Sequence, residues 1–245
     1  MPRVSVIIPC WVNDEETWSI TNACIDSFRT CGDLELILVD NASKVGGGWL
    51  RKCSDIYIRF PENKGFTVAM NAGLKVANGN YIFLANNDIR VPTNLIDVCI
   101  DTQRTYEAGF VYPKMIGYEE PFSSGGQTYA VGKERWCGNS LSMTTRNFLD
   151  RVGLFDEGYG IGGGADDWDY SHRVRQLGKQ VFTSKTQFQH LNSFSLKKLG
   201  SERQKIVDQN NAYFQKKWGM SKEELFTKDL PGQMEQNYYE ELAKL

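Results

Sequence analysis

Residues 81–88 read Tyr-Ile-Phe-Leu-Ala-Asn-Asn-Asp, and the fold class turns on how this stretch is understood. Ile82, Phe83, Leu84 and Ala85 form an unbroken apolar run that stops at Asn86, Asn87 and Asp88. A strand buried on both faces of a parallel sheet has this character, and its polar end marks the sheet's rim. In open α/β sheets ligands sit beyond the carboxyl ends of the strands, so Asp88 would face a crevice. The same three residues also suit a plain turn, because Asn and Asp bond their own backbone and tolerate left-handed geometry.

Working outward, Val4 to Pro9 and Leu34 to Val39 are two more apolar, β-branched runs, and the second ends on Asp40. Ile56 to Phe60 is a third. Between them lie helical segments. Asn13 to Glu16 supplies capping side chains and first-turn acids, and Trp18, Thr21, Cys24, Ile25 and Phe28 recur at helical spacing. After Asn63-Lys64-Gly65-Phe66 comes a helix with Ala69, Ala72, Gly73 and Val76 on one face, small enough to lie close to a sheet. Gly79 suits the left-handed cap position at its end. Strands alternating with helices predict an α/β fold with a mostly parallel central sheet flanked by helices.

Gly46-Gly47-Gly48 has neither the Lys-Ser/Thr of a P-loop nor GxGxxG spacing, and reads as a flexible loop. Pro92 and Thr93 open another helix, and Phe110 to Pro113 another strand. Lys114 to Lys133 is rich in Gly, Ser and aromatics and reads as a flap on an acceptor side. Ser140 to Met143 is a strand and Thr145 to Val152 a short helix closed by Gly153. A glycine run, Gly160, Gly162, Gly163 and Gly164, then precedes Asp166-Asp167-Trp168-Asp169. Asp167 to Leu177 is a helix with Tyr170, Val174 and Leu177 inward. Val181 to Thr183 is a short strand, and Gln187 to Ser195 carries His190. Glu202 to Trp218 is helical, Ser221 with Glu224 makes a capping box, and the tail from Gly232 is an amphipathic helix.

Composition bounds the function. The 245 residues carry 28 Lys and Arg against 30 Asp and Glu, a net charge of -2, so the basic excess of a nucleic-acid binder is missing. The six cysteines are scattered without a CxxC pair and only two histidines accompany them, so structural zinc and a disulfide framework are both poorly supported. A reducing, cytoplasmic setting fits. No stretch approaches the roughly 20 apolar residues of a membrane span, which leaves peripheral membrane attachment open.

Asp40, Asn86 with Asp88, and Asp166, Asp167 and Asp169 are the groups placed for ligand chemistry. The last three are equally suited to capping a helix, where acids offset unpaired amides and the dipole. A resemblance bears on the choice. VSVIIPCWVND, LILVDNAS, NKGFTVAMNAGLKVANGNYIFLANND and GGGADDWDYSHRVRQLG resemble, in order and spacing, the motifs of GT-A glycosyltransferases of family 2, nearest the rhamnosyltransferase-like subgroup. The likeness covers residues 4–195.

That resemblance implies an inverting glycosyltransferase domain over residues 1–200 with a C-terminal helical extension over 201–245. It implies a UDP- or dTDP-linked sugar donor, contacted by Pro9, Asp40, Asn63, Gly65, Asn71, Asn86, Asn87 and Asp88. Asp88 and His190 would bind Mn²⁺ or Mg²⁺. The family's usual Asp-x-Asp is Asn86-Asn87-Asp88 here, so one carboxylate is replaced by an amide whose carbonyl is a weaker ligand. Asp167 would be the general base, matching the second acid of the family's Glu-Asp pair, with Trp136, Asp166, Asp169 and Arg173 supporting it or lining the acceptor site. Arg173 is placed to pair with these acids or to be a solvated helix charge, and His190 is open to a plain packing role. The acceptor would be a hydroxyl of a glycan, a lipid-linked or a protein-linked molecule. Two other classes remain: a nucleotide-sugar or carbohydrate-binding module without catalysis, which the missing acid favours, and a nucleotidyltransferase, which lacks its early Gly-rich basic signature here.

Overall fold

The structure, a computed structural model, describes residues 4–123, 125–130, 140–161, 163–178, 180–191, 200, 202–221 and 224–225. In chain order the first half comprises β1 (Val4–Cys10), α1 (Glu15–Arg29), β2 (Glu35–Asp40), α2 (Gly47–Cys53), β3 (Ile56–Arg59), α3 (Phe66–Val76), β4 (Tyr81–Ala85) and β5 (Ile89–Arg90). The second half comprises α4 (Leu95–Tyr106), β6 (Phe110–Gly117), β7 (Thr128–Ala130), β8 (Leu141–Thr145), α5 (Arg146–Val152), α6 (Asp166–Leu177), β9 (Gln180–His190) and α7 (Glu202–Trp218).

One mixed sheet runs in the order β3-β2-β1-β4-β8-β6-β9-β5, with β7 beside β9. The half from β3 to β4 is parallel throughout. β8 runs antiparallel between β4 and β6, and β6 and β9 are parallel again. Helices cover both faces. Val6, Ile8 and Cys10 of β1 pack with Cys24, Ile25 and Phe28 of α1 and Leu95 and Cys99 of α4 on one side. Ile7 packs with Met70 and Leu74 of α3 and Tyr170 and Val174 of α6 on the other. Burial on both faces explains why the strands are continuous apolar runs rather than alternating ones.

Local chemistry sets the helix ends as read. Thr17 N–H donates to Asp14 Oδ1 at 2.9 Å and Asp14 N–H to Thr17 Oγ1 at 3.2 Å, a reciprocal capping box for α1. Thr145 caps α5 by accepting from Phe148 N–H at 3.3 Å. Ser221 and Glu224 bond each other's backbone amides at 3.2 and 2.6 Å. The amphipathic tail read from Gly232 lies outside the described residues.

Six readings change. Val76 is 37% exposed and does not share the sheet-facing stripe of α3. The flap read at Lys114 to Lys133 gives up Lys114 to Gly117 to β6 and Thr128 to Ala130 to β7. The Gly46 stretch is not a plain loop: Gly46 turns the chain at φ 76° and α2 begins at Gly47, with Leu50 buried beneath it. Leu177 is 38% exposed, because α6 ends there and its inward stripe stops at Val174. The two short segments read at 181–183 and 187–195 belong, as far as His190, to a single strand, β9: β6 pairs with it on either side of residues 184–186, which bulge out of that ladder, and β7 and β5 take its two ends. Residues 192–195 lie outside the described residues. Gly79 does not occupy a left-handed cap. A Cβ there would stand 2.5 Å from Ser5 N and 2.8 Å from Tyr81 O, so the residue is small to admit neighbouring backbone.

Those neighbours are main-chain atoms that cannot rotate away. Gly79→Ala is therefore expected to lower the unfolding free energy by at least about 2 kcal/mol, read from urea melts. Stability within error of the native chain would refute the close-approach account.

Candidate active site

The candidate residues gather at the carboxyl ends of β1, β2 and β4, where ligands of open α/β sheets sit. At the β4 end, Asn86 N–H donates to Ser140 O at 2.9 Å, and Asn87 Nδ2 donates to Thr21 Oγ1 on α1 at 2.8 Å. Asn87 is thereby used to hold the turn. The next residue, Asp88, is 4% exposed, and its carbonyl accepts from Leu191 N–H at 3.0 Å. β5 pairs with the end of β9 so that Ile89 faces His190. This register brings Asp88 Oδ1 within 3.2 Å of His190 Nε2, across 102 residues of sequence.

The donor set at this point can be tested against a divalent cation. Two ligand atoms at roughly 2.1 Å in neighbouring octahedral positions stand about 3 Å apart, close to the Asp88–His190 separation of 3.2 Å. His190 Nδ1 lies 3.3 Å from Met115 Sδ, a weak acceptor for the proton that Nδ1 carries when Nε2 is a ligand. The pair fits Mn²⁺ or Mg²⁺ as a partial shell. Among the described residues no group of three or more His, Cys, Asp and Glu side chains could hold a metal, so further ligands would come from donor phosphates or water. Asn86 is half-buried beside it.

At the β2 end, Asp40 is fully buried and its carboxylate is already engaged. Ser43 N–H and Tyr57 O–H donate to it at 2.8 and 2.6 Å, and Arg59 forms an ion pair with it. The group offered to a ligand at this position is Arg59, whose side chain is 46% exposed. Arg59 and Tyr57 line an open cleft with Arg51, Ser54 and Asp55. Sequence reading missed both residues, although their i, i+2 spacing on β3 puts them on one face of the strand. Pro9 sits opposite Val39 in the β1–β2 ladder.

Asn41 organises the loop that follows β3. Its Oδ1 accepts from Lys64 N–H at 2.8 Å, and its Nδ2 donates to Asn63 Oδ1 at 2.7 Å and Gly65 O at 3.1 Å. Asn63 Oδ1 also accepts from Gly65 N–H at 2.9 Å. Gly65 has φ 86°, and a Cβ on it would be 3.3 Å from Ile161 Cα, so the donor-side loop touches the glycine run. Asn71 is turned into the core instead. It exchanges bonds with the Phe155 backbone at 2.8 and 2.9 Å and donates to Glu157 Oε1 at 2.8 Å, which makes it a clamp on residues 155–157.

The acid cluster opens α6. Ala165 precedes it at φ 63°, a left-handed conformation rare for a residue with a Cβ, and is fully buried. Asp167 is half-buried, and Trp168 N–H donates to its Oδ1 at 2.9 Å. Asp169 is fully buried and does not face a ligand: Arg173 Nε at 3.1 Å, Trp218 Nε1 at 2.8 Å and Lys217 Nζ at 2.6 Å surround it. Arg173 thus pairs with Asp169 and also donates to Val152 O at 2.9 Å. Trp136 lies outside the described residues.

A mixed sheet with a parallel donor-side half, and an acid at the β4 end facing a histidine from the last strand, is a GT-A-like architecture. Residues 5–165 match the family described as Glycosyl transferase family 2, and the chain belongs to that family. It is 26% identical over 148 residues to Glycosyltransferase GlyG of Streptococcus pneumoniae serotype 4, covering 57% of this chain and 47% of that protein. It is 32% identical over 95 residues to EpsJ of Bacillus subtilis, an uncharacterised glycosyltransferase, covering 36% of this chain and 26% of the relative. The chain thus spans about half the length of the first relative and about a quarter of the second. Among solved structures, S. aureus TarS 1–349 with UDP-GlcNAc aligns at a TM-score of 0.62 and 14% identity, over 92% of this chain and 75% of that one. GalNAc-T7 with UDP, GalNAc and Mn²⁺ aligns at 0.66 and 16%, over 100% and 57%. At such identities the likeness concerns the fold.

Asp166 is 8% exposed, and burial, reinforced by the Asp169 charge, pushes its carboxyl up to about 6. A carboxyl whose folded pKa exceeds its unfolded value costs stability as pH rises towards the folded value, and the whole cost is present above it. Asp166→Asn is therefore expected to match the native chain near pH 4. Its relative gain should grow to pH 6 and then level off, at roughly 1 to 3 kcal/mol. Parallel stability–pH curves for the two proteins would sink this assignment.

Proposed function

We propose that the chain is an inverting glycosyltransferase that moves a sugar from a UDP- or dTDP-linked donor to an acceptor hydroxyl. The observation that carries this reading is the buried Asp88–His190 pair at the end of β4, 3.2 Å apart, in a member of glycosyltransferase family 2. The UDP-bound TarS and the UDP- and Mn²⁺-bound GalNAc-T7 structures, which share the fold, support a nucleotide donor and a divalent cation. Asn86-Asn87-Asp88 supports the rhamnosyltransferase-like subgroup. The transferase domain spans 1–200 and the helical extension 201–245.

The donor's nucleoside part lies along the ends of β1 and β2, beside Pro9 and the loop built by Asn63 and Gly65. Arg59 reaches the nucleotide, with Asp40 holding its guanidinium. Asp88 and His190 hold the cation, which supplies positive charge against the diphosphate. Asp167 takes the proton from the acceptor hydroxyl. The acceptor oxygen bonds to the anomeric carbon from the face opposite the diphosphate, the anomeric C–O bond breaks, and its electron pair leaves with the nucleoside diphosphate. Asp166 and Asp169 support Asp167 from the same helical turn. The acceptor is a glycan, a lipid-linked or a protein-linked hydroxyl, and transfer takes place on the cytoplasmic side. No helix among the described residues is long and apolar enough to cross a membrane.

A panel of UDP-, dTDP- and GDP-sugars, screened by thermal shift with Mn²⁺ or Mg²⁺, identifies the donor. Asp167→Asn is expected to bind that donor as the native chain does while turnover falls by about 10² or more. Full turnover in the variant removes Asp167 from the base role. Exhaustive chelation should abolish activity, and Asp88→Asn should weaken metal-dependent donor stabilisation. Chelator-resistant turnover refutes the cation site. Donor binding without turnover by the native chain would favour a binding module, the class to which Asn86 points.

A further inference from the structure

Helix α7 lies beyond the segment matched by the family, yet one stripe of it is fitted to the backbone that leads into Asp167. Ile206, Val207, Asn210, Phe214, Lys217 and Trp218 recur at helical spacing on this stripe. A Cβ added to Gly160 would stand 3.2 Å from Ile206 Cγ2, and one added to Gly164 would stand 3.3 Å from Val207 Cγ1. Asn210 is 3% exposed; its Oδ1 accepts from Gly160 N–H at 2.8 Å and its Nδ2 donates to Gly163 O at 2.8 Å. Glycine backbone has the widest conformational freedom of any residue, so these bonds supply the rigidity its missing side chains do not. Phe214 meets the ring of Trp168 edge-on, with centroids 5.9 Å apart, directly after Asp167 in sequence.

Lys217 completes the seam. Its ammonium is 2.6 Å from both Asp156 Oδ2 and Asp169 Oδ1. Asp156 stands before the glycine run and Asp169 in the first turn of α6. One cation therefore ties together the two ends of residues 156–169, a stretch whose acids would otherwise repel each other at close range. Arg173 and Trp218 remain on Asp169 when Lys217 is removed, so loss of the ammonium loosens the tie without stranding a buried charge.

We propose that Asn210 and Lys217 are positioning residues that hold residues 156–169 in the one arrangement that aims the Asp167 carboxylate at the acceptor. The inference rests on the reading of Asp167 as the base. Its test uses the full chain with Lys217→Met, Lys217→Arg and Asn210→Ala, read by amide hydrogen exchange and by turnover of the donor selected in the panel above.

In Lys217→Met and Asn210→Ala, exchange over 156–169 should accelerate by about tenfold, with β1, β2 and β4 unchanged. Their kcat should fall by about tenfold or more while the donor KM stays within about twofold. Lys217→Arg should recover most of the kcat. Native exchange with native kcat overturns the proposal. So does a joint loss of kcat, donor affinity and melting temperature that arginine does not rescue, or failure of Lys217→Met to fold. If Asp167→Asn keeps full turnover, the base reading fails by itself, and the exchange measurement still decides whether α7 holds the stretch.

Discussion

The pairing of two residues, Ile89 and Arg90, with the end of β9 is the constraint on which the site depends. Without it Asp88 would end a turn and His190 would end an edge strand, and ordering each would cost about 1 to 2 kcal/mol per residue in backbone entropy. The ladder meets that cost in advance. It sets the register so that both side chains reach one point, and the bond from Leu191 N–H to Asp88 O seals the strand end behind them. Between the two residues the chain runs from α4 to β9. The extended β6–β9 ladder carries it back to Asp88, with its register shift after Pro113 absorbing the extra residues 184–186.

Electrostatics explains how an acid-rich crevice on a chain of net charge -2 could receive a phosphate-bearing ligand. Its acids are not left as bare negative charges. Asp40 is matched by Arg59 and by donors from Ser43 and Tyr57. Asp169 is matched by Arg173 and Lys217. Asp166 is driven by burial towards its neutral form at mildly acidic pH. What the crevice presents is therefore less negative than its sequence, and Arg59 contributes an exposed cation where the residues alone pointed to a carboxylate.

The parts of this architecture that were legible in the sequence are those governed by local rules. The unbroken apolar runs of β1, β2 and β4 announced strands buried on both faces, and Asp14, Thr145 and Gly153 announced helix ends. The parts that were not legible depend on partners far along the chain. β9 reads as two fragments because its polar middle, residues 184–186, bulges out of the ladder with β6, and only the distant pairing of both halves with β6 shows that they are one strand. Asn71 carries a motif position associated with the donor, yet its amide is complementary to the Phe155 backbone, 84 residues away. Asp169 looks like a helix cap until Lys217 and Trp218 of α7 close on it. At the site itself, the acid at the end of β4 was visible from its own strand, whereas its meeting with His190 was expected only from the family resemblance.

The reversed direction of β8 has a bearing on how such a chain can diversify. Because Leu141 pairs with Ala85, β8 begins at the crevice rim and runs away from it. Ser140, the residue before β8, therefore stands at the end of β4, where its carbonyl accepts from Asn86 N–H. A change of chain length ahead of Ser140 would leave the β4–β8 register and both hydrophobic layers as they are. The same polypeptide framework could in this way change its surface by loop length alone, with no repacking of its interior.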